Sequence, residues 1–255
     1  MPRLQHLLVS LASVALLTCH HTVLADVTAD LGVTSEFVRD GISQTSGKAA
    51  WQAGMTATHN SGFYAGAWGS NVDHGSADSL HSEWDMYGGA NLPLWRAWSV
   101  DASLTRFTFH GDADEKGDAY NETAVRLLWD NNLTLGYRAA DGYYGSDYNL
   151  HTLETAYTFQ TGSFSIELYG ANHRLDGTDD TTNFGSSTAD DYWHFRVGAA
   201  RTWNHWDYRL TLERTNLGGD FDAGTLIQFS VHRFFGRFFV YGSADYGNGV
   251  ARRLA

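Results

Sequence analysis

Charged side chains recur at alternate positions along much of the chain, and their spacing is the strongest indication of chemistry. Ten are acidic and four are arginines, and apolar residues stand beside most of them. A two-residue period places these two kinds of side chain on opposite faces of a β-strand. If the apolar faces meet lipid, the charged faces must enclose water, since Arg at a lipid-facing midplane costs ~2–4 kcal/mol. The predicted lumen-lining charges are Asp30, Glu36, Glu83, Asp85, Asp101, Glu122, Arg126, Arg138, Glu154, Glu167, Arg196, Asp207, Arg209 and Glu213.

Histidines and acidic loops also raise the question of a metal site. His74 and His81 lie in one acidic loop, and His110 precedes the acidic run from Asp112 to Asp118. That run is similar to a calcium loop, but Lys116 stands at its fifth position and no glutamate follows at the required spacing. No metal and no cofactor is therefore predicted.

A hydrolase is the main enzymatic alternative, because Ser230 and His232 share one strand face. A serine nucleophile needs a base within hydrogen-bond reach and a third group that orients the base. The sequence identifies no such acid beside this pair. His81 and Ser82 are neighbours and would point to opposite faces. No catalytic residue is predicted.

Most of the charges belong to twelve alternating stretches, five to eleven residues long, which indicate strands of about the ~9–11 residues that a tilted strand needs to cross a bilayer. They are 27–34, 51–58, 63–71, 83–92, 100–105, 122–127, 133–138, 153–159, 164–168, 193–202, 207–213 and 225–235. The last segment has an apolar face formed by Ile227, Phe229, Val231 and Phe235. It is predicted to close a barrel against the first segment, so that no strand edge stays unpaired.

The connections alternate between short and long, which independently indicates a barrel. The long ones are near 39–48, 72–81, 110–119, 142–147, 175–190 and 217–223. Outer-membrane barrels have short periplasmic turns and longer external loops, and an even number of strands. Aromatic residues cluster beside the short turns, as in an interfacial girdle. The sequence thus predicts an all-β, antiparallel transmembrane β-barrel of about twelve strands; a soluble β-sandwich with a core of these aromatics is the alternative.

The two ends of the chain are expected to lie outside the barrel. Residues 1–25 have a charged start, an apolar run from Leu7 to Leu17 and small residues before Asp26, which is typical of a secretory signal peptide cut near Ala25. The barrel is expected to occupy 26–235. Residues 236–255 are expected to form a C-terminal extension, a periplasmic tail or an unpaired appendage, because a thirteenth strand would leave the C-terminus outside.

Two blocks near the N-terminus resemble a known family. Thr34 to Gln44 reads TSEFVRDGISQ, and Gly62 to Asp73 reads GFYAGAWGSNVD. Both are similar to the opening of the TorF-type family of proteobacterial porins. The resemblance implies an outer-membrane barrel with a pore, and a terminal aromatic at the position of Phe235 that the barrel-assembly machinery is thought to recognise.

Together these observations predict a porin-like channel in the outer membrane of a Gram-negative bacterium. Its net-negative lumen would pass small solutes by passive diffusion and favour cations. Outer-membrane lipid, the assembly machinery and small solutes are the expected partners. Nucleic acid is not, because the formal charge is −12. A plugged structural or adhesion-type barrel and a soluble periplasmic β-rich binding protein are the alternatives.

Overall fold

The computed structural model describes residues 25–74, 80–111, 119–130, 132–176, 190–217 and 221–236. The expected signal peptide lies outside these residues except for Ala25, and the expected C-terminal extension lies outside them except for Gly236. The calcium-like run 112–118 also lies outside them. Among the described residues there is no helix long and apolar enough to cross a membrane.

Twelve strands form one closed antiparallel barrel, and a separate two-stranded hairpin follows the first strand. Each barrel strand pairs with its neighbours in the chain, and the last strand pairs with the first from Thr28 opposite Gly236 to Thr34 opposite Ser230. The predicted fold is therefore confirmed. The barrel strands are β1 (Ala25–Thr34), β4 (Ala50–His59), β5 (Phe63–Asn71), β6 (Leu80–Pro93), β7 (Trp98–Gly111), β8 (Tyr120–Trp129), β9 (Leu133–Asp141), β10 (Asn149–Thr161), β11 (Phe164–Asp176), β12 (Asp191–Trp203), β13 (Trp206–Thr215) and β14 (Thr225–Gly236), and the hairpin is β2 (Val38–Arg39) with β3 (Ile42–Ser43).

The outer face of the barrel is apolar. Exposed side chains alternate with buried ones along the strands, and the exposed set includes Leu31, Met86, Val125, Leu153 and Phe229. Aromatic side chains beside the short turns are exposed as well; they include Phe63, Trp95, Trp129, Phe159, Phe164, Trp203, Trp206 and Phe235. A β-sandwich would bury these aromatic side chains in a core between its two sheets, so their exposure argues against that alternative. It is the outward girdle of a lipid-facing barrel.

The two ends of the barrel differ. Turns of two to four residues join the strands at one end, and the longer connections join them at the other. At the long-loop end the interior is filled by a cluster of buried apolar and aromatic side chains, whose members are Phe37, Ala50, Trp68, Val72, Leu80, Phe107, Phe109, Tyr120, Ala140, Leu150, Leu175 and Tyr192. The remaining interior is largely polar, apart from a small second cluster of Ala156, Tyr169 and Ala171.

The β1–β4 connection turns inward and enters the barrel. Its β2–β3 hairpin has a two-residue turn, Asp40-Gly41, with φ angles of 51° and 78°. Both values are positive, as in the type I′ turn that Asp-Gly favours between antiparallel strands. An ideal Cβ on Gly41 would lie 2.3 Å from Thr215 Cγ2, so the tip of this inner hairpin (residues 36–47) fits against β13 only with glycine. The sequence had indicated an external loop at 39–48.

Candidate functional site

The predicted lumen-lining charges lie inside the barrel. All are buried except Glu154 and Arg209, which are largely covered, and Glu36, which is half-buried and lies just beyond the end of β1. The exposed residues of the closing strand, Ile227, Phe229 and Phe235, face outward, and Val231 is on the same face. Burial alternates in this way because the inward side chains are covered by the barrel and by the inner hairpin.

One group of ion pairs runs along the wall formed by β8, β9 and β10. Arg126 Nε is 2.7 Å from Glu154 Oε1, although the two residues lie on strands separated by β9. Gly136 on β9 stands between them in the register. An ideal Cβ there would lie 2.6 Å from Glu154 Oε1, so the glycine leaves the space that the glutamate occupies. Arg138 completes the group, with Nη1 at 2.9 Å from Glu122 and Nε at 3.2 Å from Glu154.

A second group lies on β11, β12 and β13. Arg196 contacts Glu167 through Nε at 3.0 Å and Nη2 at 2.9 Å. Arg209 lies 3.7 Å from Glu167 and 3.9 Å from Asp207. These pairs join strands that are close together along the wall. The plugged alternative had assumed that arginines and glutamates pair directly across the lumen, whereas the element that crosses it is the inner hairpin.

The arginine of the inner hairpin docks on β6 and β7. Arg39 contacts Glu83 and lies 3.3 Å from Asp85, and both carboxylate side chains are fully buried. The guanidinium also lies over the Phe107 ring, 4.5 Å from its centroid, and 5.4 Å from that of Phe37. A cation over an aromatic face is attracted by the ring quadrupole, more strongly when water is excluded.

The aspartate of the inner hairpin docks on β9, β11 and β12. Asp40 Oδ1 is 2.6 Å from Arg138 Nη2 and 4.0 Å from His173 Nε2. The Tyr192 hydroxyl donates a hydrogen bond of 2.9 Å to the Asp40 carbonyl oxygen. Burial raises the pKa of the Asp40 carboxyl, but Arg138, His173 and His194 together outweigh it and hold that pKa below its ordinary value. Asp40 is therefore an anion held by cationic and dipolar partners.

A second connection covers the inner hairpin from the long-loop end. The β9–β10 connection contains a short 3-10 turn, Tyr143–Gly145. The Tyr144 hydroxyl donates a 2.8 Å hydrogen bond to Gln44 Oε1, and its ring stacks on Phe109 with centroids 5.0 Å apart. His74 lies 3.2 Å from the same glutamine oxygen. The inner hairpin is thus enclosed between the barrel wall and this turn.

Three buried histidines near the charges have acidic neighbours. His194 and Glu213 form a hydrogen bond of 2.8 Å, and His232 and Asp30 form one of 3.2 Å. Asp30 is thus an acid beside His232 that the sequence did not identify, but no hydrogen bond joins Ser230 to His232 in the described part of the chain. A nucleophile and base need that contact. The described residues also contain no cluster of three or more potential metal ligands.

Sequence reasoning missed the inner hairpin and the residues that receive it. Arg39, Asp40, His173 and His194 were not among the predicted lumen residues. The Asp-Gly pair at 40–41 is a local signal for a hairpin, but it does not indicate on which side of the wall the hairpin lies. Adding Asp40 to the ten predicted acids, and Arg39 to the four arginines, gives eleven acidic against five arginine side chains. Each of these five arginines has a carboxylate oxygen within 4 Å.

The barrel is similar to solved porin structures. One is the KdgM porin in complex with disordered oligogalacturonate, with a TM-score of 0.51 and 10% identity, covering 81% of this chain and 98% of that one. Another is the NanC porin, with a TM-score of 0.52 and 10% identity, covering 83% of this chain and 100% of that one. At such low identity the similarity shows the fold alone.

Sequence comparisons give the family. A comparison with curated proteins found no match. The profile of a family described as "bacterial protein of unknown function (Gcw_chp)" matches residues 20–226, which is most of the chain. The chain therefore belongs to the Gcw_chp family of bacterial proteins, and it has the β-barrel fold of outer-membrane porins.

Proposed function

We propose that this protein is an outer-membrane channel for passive diffusion of small solutes, with a preference for cations over anions. The observation that carries the proposal is the charge inside the closed barrel, where eleven acidic side chains stand against five arginines. Rings of acidic side chains favour cations in a pore. The porin-like fold points to the outer membrane, and the resemblance to TorF-type porins supports the same role.

The wider setting is part of the same proposal. A signal peptide cleaved near Ala25 would direct export, and the barrel-assembly machinery would insert the chain so that its apolar face meets outer-membrane lipid. We propose no catalytic role, since the described residues show no hydrogen bond between Ser230 and His232.

The lumen does not favour polyanions. The KdgM structure holds oligogalacturonate, whose sugar units carry carboxylates, so its ligand is anionic. Here each of the five arginines already has a carboxylate partner, so an anionic solute would have to break existing pairs. Breaking a buried pair costs ~3–5 kcal/mol because it leaves an uncompensated charge. We therefore do not extend that ligand to this chain.

Reversal potentials in planar bilayers test the proposal. Under a KCl gradient the purified barrel should give a potential of the sign expected for cation selectivity. Asp101→Asn should weaken the selectivity, because Asp101 is a fully buried carboxylate that accepts hydrogen bonds of 3.1 and 3.2 Å from Tyr64. Asp141→Asn is the matched control, since Asp141 is exposed at the end of β9. Anion selectivity would overturn the proposal.

A plugged structural barrel is the second candidate, and the inner hairpin favours it. Its Arg39 and Asp40 bind the wall on two sides of the lumen. The wild-type barrel and a variant lacking residues 36–47 should be recorded side by side. A channel gated by the inner hairpin gives a larger conductance after the deletion. If neither protein conducts while both are folded in the bilayer, the structural role is the correct one.

A further inference from the structure

The tip of the inner hairpin carries a cation and an anion on adjacent residues, and the lumen wall has a prepared site for each. Arg39 lies against β6 and β7, and Asp40 lies against β9 and β11. The two side chains therefore bind different parts of the wall from one short turn.

The cation site is a property of the wall itself. Glu83 and Asp85 are two positions apart on β6 and point inward together, with Phe107 beside them on β7. Arg39 contacts Glu83 Oε1 and Asp85 Oδ2, whereas the buried Glu83 Oε2 and Asp85 Oδ1 accept no hydrogen bond from it. The site thus has more acceptor capacity than Arg39 uses. A guanidinium offers five N–H donors in a planar fork that suits such a pair of carboxylates.

The anion site lies on the other strands. Arg138 and His173 face the Asp40 carboxylate, and Tyr192 donates to the carbonyl oxygen of the same residue. Arg138 is also held by Glu122 at 2.9 Å and Glu154 at 3.2 Å, so its position does not depend on Asp40. The site would keep its shape if another carboxylate replaced that of the inner hairpin.

The inner hairpin is not part of the barrel sheet. Its strands have only two residue pairs, Val38 opposite Ser43 and Arg39 opposite Ile42. Its backbone is tied at Ser43 N to Asp222 O (2.7 Å) and at Gln44 O to Asp73 N (2.8 Å), both in other connections. The charged contacts with the barrel wall are made by the two side chains at its tip. A solute that carries a cation and a carboxylate could replace the side chains of Arg39 and Asp40 at the wall. Each charge of the wall would then keep a partner, so no buried charge would be left uncompensated.

We infer that Arg39 and Asp40 act as an internal pseudo-ligand, and that the lumen site they occupy binds net-cationic solutes that carry a carboxylate together with a guanidinium or side-chain ammonium group, such as cationic amino acids and short peptides. The solute's cation takes the place of Arg39 at Glu83 and Asp85, its carboxylate takes the place of Asp40 at Arg138, and the inner hairpin leaves the lumen. This inference names the solute class for the proposed channel and rests on that function for its role in transport.

Direct binding to the purified protein in detergent is the first test. Arg39→Ala vacates the cation site, so arginine should bind this variant at least roughly tenfold more tightly than the wild type, in which it must first displace the inner hairpin. Glutamate, which is net anionic, should not bind. Adding Glu83→Gln and Asp85→Asn should abolish the binding. Absence of saturable arginine binding to folded Arg39→Ala, or binding that survives the two added substitutions, would overturn the inference.

A second measurement needs no change at the binding residues, which matters if Arg39→Ala does not fold. Ser43 is buried in the inner hairpin, and Ser43→Cys is nearly isosteric. Arginine should accelerate modification of this cysteine by a water-soluble maleimide, whereas glutamate or sodium chloride at equal ionic strength should not. An unchanged rate at saturating arginine would refute displacement of the inner hairpin.

Neither test requires conductance, so the two proposals can fail separately. Arginine binding and hairpin release in a barrel that never conducts would reject the channel and keep the pseudo-ligand. A cation-selective conductance without arginine binding would reject the pseudo-ligand and keep the channel.

Discussion

Replacing Asp40 with asparagine should release the inner hairpin without damaging the barrel. The substitution keeps the side-chain shape and leaves the carbonyl oxygen that accepts the Tyr192 hydrogen bond. It removes the charge that lies 2.6 Å from Arg138 and 4.0 Å from His173. Removing one partner of a buried ion pair costs ~3–5 kcal/mol. Because Arg138 keeps two other carboxylate partners, the lower end, about 3 kcal/mol, is the expected loss of docking free energy.

This loss of docking free energy can be measured as a faster rate of maleimide modification at a cysteine in the inner hairpin. At 1.4 kcal/mol per factor of ten, the undocked population should rise roughly 100-fold. When docking is fast relative to modification, the rate follows that population. The maleimide reaction of Ser43→Cys should therefore be roughly 100-fold faster in the Asp40→Asn background. The urea midpoint of the barrel itself should not change.

An exposed ion pair between the same connection and the β5–β6 connection provides the matched control. Lys48 and Asp73 lie 2.5 Å apart, but their side chains are 65% and 36% exposed. Exposed pairs contribute ~0–1 kcal/mol, so Asp73→Asn should change the labelling rate by less than roughly fivefold. If Asp40→Asn and Asp73→Asn have the same small effect, the buried pair does not hold the inner hairpin, and the electrostatic account of docking is incorrect.

Three further predictions address pH, packing and the lipid face. The pKa of Asp40 is lowered in the docked state, so this state binds fewer protons; its stabilisation is fully present above the ordinary pKa of 3.8 and is lost progressively as pH falls from there towards the lowered pKa. The labelling rate, corrected for free-thiol reactivity, should therefore be flat from neutral pH to about pH 5 and should rise steadily below about pH 4 towards that of Asp40→Asn. Gly136→Ala would place a Cβ 2.6 Å from Glu154 Oε1 and should lower the free energy of unfolding in urea by about 2 kcal/mol, whereas Gly198→Ala, where the nearest atom is 3.4 Å away, should be close to neutral. Val125 is an outward side chain that is 53% exposed, and Val125→Arg places a charge there. This variant should lose ~2–4 kcal/mol of unfolding free energy in lipid bilayers, with Val125→Leu as the neutral control. Equal stability of the two Val125 variants would argue against a lipid-facing exterior.

The strands, their number and their facing could be predicted because each rests on local sequence. Two surroundings, lipid outside and polar groups inside, select alternate residues along every strand. The closing strand shows this best, since Phe229 is exposed while Ser230 and His232 are buried. Alternation of short and long connections then gave the antiparallel order, because short turns can join only neighbouring antiparallel strands.

The partner of each charged side chain could not be predicted. It depends on how neighbouring strands are aligned and on where a small residue leaves space for a longer side chain. Arg126 reaches Glu154 across β9 only because the residue opposite both is Gly136. The sequence shows a glycine there but not which side chain covers it. Likewise, Asp30 and His232 are 202 positions apart and meet only after the barrel closes.

The sequence by itself determined that this chain is a barrel with an apolar exterior and an acid-rich interior. The reason is that successive residues of a strand face alternately outward and inward, so each side chain reports its own surroundings. Near 39–48 it indicated only a long connection, although the Asp40-Gly41 pair there is a local signal for a turn. Only the tertiary structure decided that the turn enters the lumen, where Arg39 meets Glu83 and Asp40 meets Arg138. These partners come from strands far apart in the chain. A charged hairpin is stable inside the barrel only where side chains of opposite charge on the wall contact both of its charges.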